Sequence, residues 1–214
     1  MTQTIWIARH ANRLDFVNPD WFLTAERPYD PPLSSDGLVQ AKQLAQRLKG
    51  ESIAHIFASP FLRTVQTANE VASVLDLPIK LESGLSEWLN PHWMPAMPER
   101  LSLLTLHEQF PRIDLSYTSR VIAKYPETGE ESLERSGETT RQLAAFSEDI
   151  LLVGHGASVL GATIGLVGGT PESTQVNAAL CCLVKLVRDG EKWVMELNGD
   201  TSHLSQSEKV IRFH

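Results

Sequence analysis

Short apolar runs alternate with stretches of helical period along most of this chain, and that alternation restricts the fold more than any other feature. Residues 5–8, 53–58, 77–81 and 150–153 are compact apolar runs that read as strands buried on both faces. Between them lie amphipathic stretches. One starts at Ser34 or Ser35, carries Leu38, Ala41, Leu44, Ala45 and Leu48 at helical spacing, and stops at Gly50. A second opens at Ser59-Pro60 and carries Val65, Ala68, Val71, Ala72 and Leu75. Further helices are predicted over residues 99–110, 130–146 and 159–166. Strands alternating with helices imply a mostly parallel sheet in a three-layer α/β/α arrangement. Residues 179–187 and 192–197, joined by Arg188-Asp189-Gly190, add an antiparallel edge.

Two segments depart from this rhythm. Residues 16–32 hold Pro19, Pro28, Pro31 and Pro32 with Phe16, Trp21, Phe22 and Tyr29, and read as an aromatic-rich loop. Residues 84–129 hold Pro91, Pro95, Pro98, Pro111 and Pro126 and read as an inserted cap within a single domain of residues 1–214.

Composition narrows the partners. With 42% hydrophobic residues the 214-residue chain builds a full core without staples. A net charge of -7 exerts no general pull on nucleic acid, so a bound anion must meet a local cluster of Arg and His. The only cysteines, Cys181 and Cys182, are neighbours in an apolar setting; they are expected to act as small hydrophobes in a reducing, cytoplasmic compartment. Neither a signal peptide nor a membrane span is expected. No motif speaks to oligomeric state.

The chemistry concentrates at strand ends. The first strand runs into Arg9-His10, the one ending at Val153 runs into Gly154-His155-Gly156, Arg63 follows the strand ending at Ala58, and Glu87 follows the strand ending at Leu81. Ligands of open α/β sheets sit beyond the carboxyl ends of the strands, so these groups are expected to share one crevice with Arg13. The set suits phosphoryl transfer. Guanidinium forks hold phosphate oxygens and keep their charge. A neutral imidazole is a competent nucleophile, and a carboxyl group serves as general acid and then base.

These residues also carry a resemblance. Arg9-His10, the run Ser59-Pro60-Phe61-Leu62-Arg63-Thr64-Val65-Gln66-Thr67-Ala68, Glu87 and Gly154-His155-Gly156 together resemble the histidine phosphatase superfamily, also called phosphoglycerate-mutase-like. Leu33-Ser34-Ser35-Asp36-Gly37-Leu38-Val39-Gln40-Ala41 and Asp200-Thr201-Ser202-His203-Leu204 resemble two further motifs of that family, in order. The resemblance implies that His10 becomes phosphohistidine, that Arg9, Arg63 and His155 bind the phosphoryl group, and that Glu87 is the proton donor. It implies no cofactor and no metal. Arg-His-x-x-Arg-x-Asp over residues 9–15 and Leu-x-Glu-Trp over 85–88 look most like the branch of the ubiquitin-associated SH3 phosphatases and ecdysteroid-phosphate phosphatase, where Arg13 matches an extra phosphate-binding arginine.

The expected substrate is a small phosphate monoester or a phosphopeptide. The alternatives are a phosphoglycerate-mutase-type phosphotransferase and a catalytically weak phospho-ligand-binding relative. One position departs from the family: Ala11 stands where Gly usually follows the first His, and costs about 1 kcal/mol if that residue needs a positive φ. Glu82 competes with Glu87 for the acid role. His92 is assigned to the cap and His203 to a structural role. Trp21, Phe22, Trp88 and Trp93 either line an apolar pocket or pin the loop and cap.

Overall fold

The computed structural model describes residues 2–208 and 211–212. The strands are β1 (Thr4–Arg9), β2 (Ile53–Ala58), β3 (Ile79–Leu81), β4 (Asp149–Gly154), β5 (Leu183–Asp189) and β6 (Lys192–Asp200). They form one sheet in the order β3-β2-β4-β1-β5-β6. The first four run parallel; β5 and β6 form the antiparallel edge. The helices are α1 (Trp21–Thr24), α2 (Ser35–Leu48), α3 (Leu62–Leu75), α4 (Leu103–Gln109), α5 (Gly129–Leu143), α6 (Gly156–Val167) and α7 (Pro171–Thr174). None is long and apolar enough to cross a membrane among the described residues.

Alternation along the central strands sorts side chains to two faces. Trp6 and Ala8 of β1 and Leu151 and Val153 of β4 join a core under α2 and α3, with Leu44, Leu48, Val65 and Val71. Ile5 and Ile7, with Ile150 and Leu152, face the other way onto Leu143, Val159 and Ala162 of α5 and α6. Both faces being covered explains why these strands read as unbroken apolar runs. The second helical layer is unusually close: a Cβ on Gly165 would lie 2.4 Å from the Gly137 Cα. Any larger residue there would force α5 and α6 apart.

Several boundaries differ from the sequence reading, and α1 forms within the segment read as a loop; for three of the differences the contacts give the physical reason. Ser59 does not cap α3; the N-cap is Phe61, which offers no side-chain bond, and the Asp30 carboxylate accepts the Leu62 N–H instead at 2.8 Å. β5 begins at Leu183, not Ala179, because Cys181 adopts a positive φ and turns its N–H onto the His10 carbonyl at 3.1 Å. The helix expected over residues 99–110 is confined to Leu103–Gln109, capped by Ser102.

Between β3 and α5 the chain does two things. Residues 112–114 run beside β3, where the Ile79 N–H donates to Arg112 O and the Asp114 N–H to Ile79 O, both at 2.8 Å. Leu89, Met94 and Ala123 gather with Phe61 into a small separate cluster beside the strand ends.

Candidate active site

Strand register brings the two histidines together. β1 and β4 pair in parallel with Arg9 opposite Gly154, so the next residue of each strand is a histidine. The His10 N–H donates to Gly154 O at 2.9 Å, and the rings lie edge to face with centroids 5.3 Å apart. β2 lies on the other side of β4 with Ala58 opposite Val153, which sets Ser59 beside His155; Ser59 Oγ is 2.9 Å from His155 Nε2. This use of the hydroxyl is why Ser59 is not available as a helix cap.

His10 is fully buried. Its Nδ1 lies 2.8 Å from the Ala11 carbonyl, so Nδ1 carries the proton and Nε2 keeps its lone pair. That Nε2 has no hydrogen-bond partner among the described residues. Burial, with the charges of Arg63 and Arg9 and the His155 ring, lowers the His10 pKa well below its ordinary value, so the ring is neutral at neutral pH.

Arg63 reaches the same place from the first turn of α3. Its Nη2 is 3.2 Å from His155 Nδ1 and 3.3 Å from Glu87 Oε2, while Nε and Nη1 are buried without a hydrogen bond among the described residues. Burial lowers this guanidinium to about 10, which leaves it charged at neutral pH. Glu87 Oε2 is also 3.3 Å from His155 Nδ1, and Oε1 accepts the Trp88 N–H at 3.0 Å. Burial pushes the Glu87 carboxyl up, but the His155 ring and the Arg63 and Arg13 charges together outweigh it and hold the group below the usual carboxylate range. Burial lowers His155 to about 3 against the pull of Glu87.

Arg13 and Arg9 sit differently. Arg13 forks onto Asp15, with Nε donating to Oδ1 at 2.7 Å and Nη2 to Oδ2, and its guanidinium stacks 4.4 Å from the Phe16 ring. It lines a cleft of about 430 Å³ with Asp15, Phe16, Phe22, Tyr29, Arg63, Glu87, Trp93 and Met94. Arg9 is buried beside His10 but does not line that cleft; it donates to Ala178 O at 2.8 Å and to Arg212 O, and lies 3.8 Å from Glu208. His10 and His155 are likewise fully buried and are not among the residues that line the cleft. A larger groove of about 790 Å³ between α5 and α6 contains none of these groups.

The aromatic residues divide. Phe22 and Trp93 line the cleft. Trp21 donates its indole N–H to Pro28 O at 2.8 Å, and Trp88 to Glu127 O at 3.0 Å, so these two pin the loop and the 84–129 segment. Glu82 is consumed elsewhere. It accepts the Tyr117 hydroxyl at 2.7 Å and the backbone N–H groups of Gly84, Arg120 and Val121. His203 Nε2 meets Cys181 O at 3.1 Å, which steadies the turn that holds His10 O, and His92 is exposed. Ala11 has no positive φ, and its methyl packs into the core with Leu33 and Ala41, so the strain expected from the missing glycine does not arise.

The stretch from Leu33 to Ala41 cradles the loop that follows His10. Ser34 caps α2 through the Gly37 N–H and donates to Asn12 O at 3.1 Å, and Gln40 Oε1 accepts the Asn12 N–H at 2.9 Å. A Cβ on Gly37 would meet Asn12 O at 2.0 Å, so glycine is required for that approach. Sequence reasoning missed Asp30, whose carboxylate lies 4.0 Å from Arg63, and the buried pair Glu127–Arg135 behind Glu87. A polar residue at a core position of the α5 pattern, Arg135, was the available signal.

One donor atom each from His10, Glu87 and His155 lie within 4.8 Å of one another, a spacing that suits a metal ion. The charge of Arg63, in contact with two of the three, opposes a cation there.

The sequence profile of the histidine phosphatase superfamily (branch 1) matches residues 5–201, and the chain belongs to that family. It is 26% identical over 98% of its length to the transcription factor tau 55 kDa subunit of Saccharomyces cerevisiae, of which it spans 58%. It is 30% identical over 77% of its length to ubiquitin-associated and SH3 domain-containing protein A of Mus musculus, of which it spans 30%. Proteins named as probable phosphoglycerate mutases of bacteria match as well. Among solved structures, the ecdysone phosphate phosphatase of Bombix mori in complex with tungstate superposes with a TM-score of 0.77 over 97% of each chain at 22% identity. The structure neighbour shares the fold, and the likeness to ubiquitin-associated and SH3 domain-containing protein A supports the branch read from the sequence motifs.

Proposed function

We propose that this protein is a metal-independent phosphomonoesterase that works through a phosphohistidine on His10. The observation that carries the reading is the buried Nε2 of His10, which has no hydrogen-bond partner among the described residues, in one cluster with His155, Glu87 and the Arg63 guanidinium. In the first half-reaction Nε2 attacks phosphorus, the bond from phosphorus to the ester oxygen breaks, and Glu87 gives that oxygen a proton. Arg63, Arg9, Arg13 and His155 stabilise charge on the phosphoryl oxygens. In the second, water attacks phosphorus, Glu87 takes its proton, and the P–N bond breaks to return neutral His10 and free phosphate. Glu87 is ionised beside Arg63 and His155; as the incoming phosphate displaces it from Arg63, like-charge repulsion raises its proton affinity and it takes from solvent the proton that it then gives to the leaving oxygen.

Residues 84–129 act as the cap, through Trp93 and Met94 in the cleft wall. The apolar rings of Phe16, Phe22, Tyr29 and Trp93 favour a small ester, or a phosphopeptide side chain, with a bulky apolar leaving group. Two buried free thiols fit a reducing compartment such as the cytoplasm.

His10→Ala is expected to abolish hydrolysis of an aryl phosphate, and brief incubation of the wild type with labelled substrate to leave acid-labile label on His10. Activity retained in the variant, or lost from the wild type on adding a chelator, would reject the reading. One competitor is a domain that binds phospho-ligands without turnover. Absence of label with tight phosphate binding would select it, and isomerisation of phosphoglycerate without net phosphate release would select a mutase.

A further inference from the structure

We propose that Arg135 and Glu127 form a positioning pair that sets the carboxyl group of Glu87 for proton transfer to the leaving oxygen. The proposal rests on Glu87 being the general acid, as read above. Glu87 lies in irregular chain, not on a strand or helix, so something outside the loop must fix it. Arg135, on α5, faces that loop from behind, and both members of the pair are almost wholly buried.

The contacts bracket Glu87 on each side. Arg135 Nη1 donates to Gly84 O at 2.7 Å and Ser86 O at 3.2 Å, and Nη2 donates to Glu87 O at 3.2 Å. The same guanidinium forks onto Glu127, with Nε to Oε2 at 2.9 Å and Nη2 to Oε1 at 2.5 Å. Glu127 in turn accepts the Leu89 N–H on Oε1 at 2.9 Å, donates its own N–H to Leu89 O at 3.2 Å, and takes the Trp88 indole on its carbonyl. The backbone carbonyls of residues 84, 86 and 87 converge on one planar donor, which a lysine ammonium cannot reproduce. The loop is also pressed against α5: a Cβ on Gly84 would lie 2.0 Å from Thr139 Oγ1.

A buried ion pair of this kind contributes little net stability compared with well-packed apolar residues, so its value lies in the arrangement it enforces. Neither partner lines the cleft, so neither is placed to touch substrate. Their effect is therefore confined to the step that needs Glu87. Misplacing a reacting group by about 1 Å costs on the order of 100-fold.

The leaving group provides the test. p-Nitrophenyl phosphate expels an acidic phenol that needs no proton, whereas an alkyl phosphate expels an alkoxide that does. We compare kcat/KM on both esters for wild type, Glu87→Gln, Arg135→Lys and Glu127→Gln, with inhibition by inorganic phosphate as the measure of an intact anion site. Both pair variants are expected to lose about 10-fold or more on the alkyl ester and under about 3-fold on the aryl ester, with phosphate inhibition unchanged. Equal losses on the two esters, or none, would overturn the proposal. Glu127→Gln keeps the acceptor for Leu89 and carries the test alone if Arg135→Lys does not fold. A Glu87→Gln variant that fails to discriminate the esters would instead remove the underlying assignment of Glu87.

Discussion

His10 is neutral in the folded protein and ordinary in the unfolded chain, which ties stability to pH in a direction that can be checked. Its ring is fully buried, its Nδ1 proton is committed to Ala11 O, and positive charge on Arg63 and Arg9 opposes a second proton. Unfolded, the same imidazole titrates near its reference value of about 6.5. A folded pKa below the unfolded one means that the full contribution is present above about pH 6.5 and is lost progressively as pH falls from there toward the lowered folded pKa. Between about pH 7.5 and pH 5.5 the unfolded state gains close to one proton at this position that the folded state does not, a loss of about 1 kcal/mol. His10→Asn removes the titration while leaving an amide to meet Ala11 O. Urea unfolding of both proteins at the two pH values isolates the difference, because His155, Glu87 and the remaining carboxylates are present in each. Wild type is expected to lose about 1 kcal/mol more than the variant. Equal losses, or a larger loss in the variant, would mean that His10 is not held neutral and would refute the reasoning.

Two further substitutions bear on departures and divisions seen in the site. Ala11→Gly is expected to lower stability by about 1 kcal/mol, from a lost core methyl and a more flexible unfolded chain, without raising kcat; a more active or more stable variant in unfolding and rate assays would show that Ala11 is strained after all. Trp93→Ala is expected to raise KM for bulky aryl phosphates by about 10-fold while leaving a small alkyl phosphate within about 2-fold, since one aromatic contact contributes on the order of 1 kcal/mol; equal changes on both esters would place Trp93 outside substrate recognition.

The sheet was legible because its central strands are apolar on both faces. Ile5-Trp6-Ile7-Ala8 and Ile150-Leu151-Leu152-Val153 carry no polar residue to hide, and a parallel sheet between helical layers is the arrangement that buries such runs completely. The grouping of His10, Arg63, Glu87 and His155 was legible for a related reason: each follows a strand end closely, and parallel strands deliver their ends to one side. The segment between β3 and α5 was not legible in detail. Its fragments are short, proline-broken and stabilised by contacts distant in sequence, such as residues 112–114 beside β3 and Phe61 against Leu89.

Residue types and spacing alone therefore determined which side chains could meet: two histidines, an arginine on the first turn of a helix and an acidic residue after the third strand. Tertiary structure decided what each does. Glu82 and Glu87 are indistinguishable by position, yet one is spent on Tyr117 and a returning loop while the other reaches Arg63 and His155. The same holds for Ser59, drawn from helix capping to His155, and for Arg135, a charge on a helix that closes on backbone carbonyls about fifty residues away in sequence. Periodicity encodes which face of an element is buried, because burial is a property of the element. A polar group's partner is a property of whatever packs against it, and only the assembled chain supplies that.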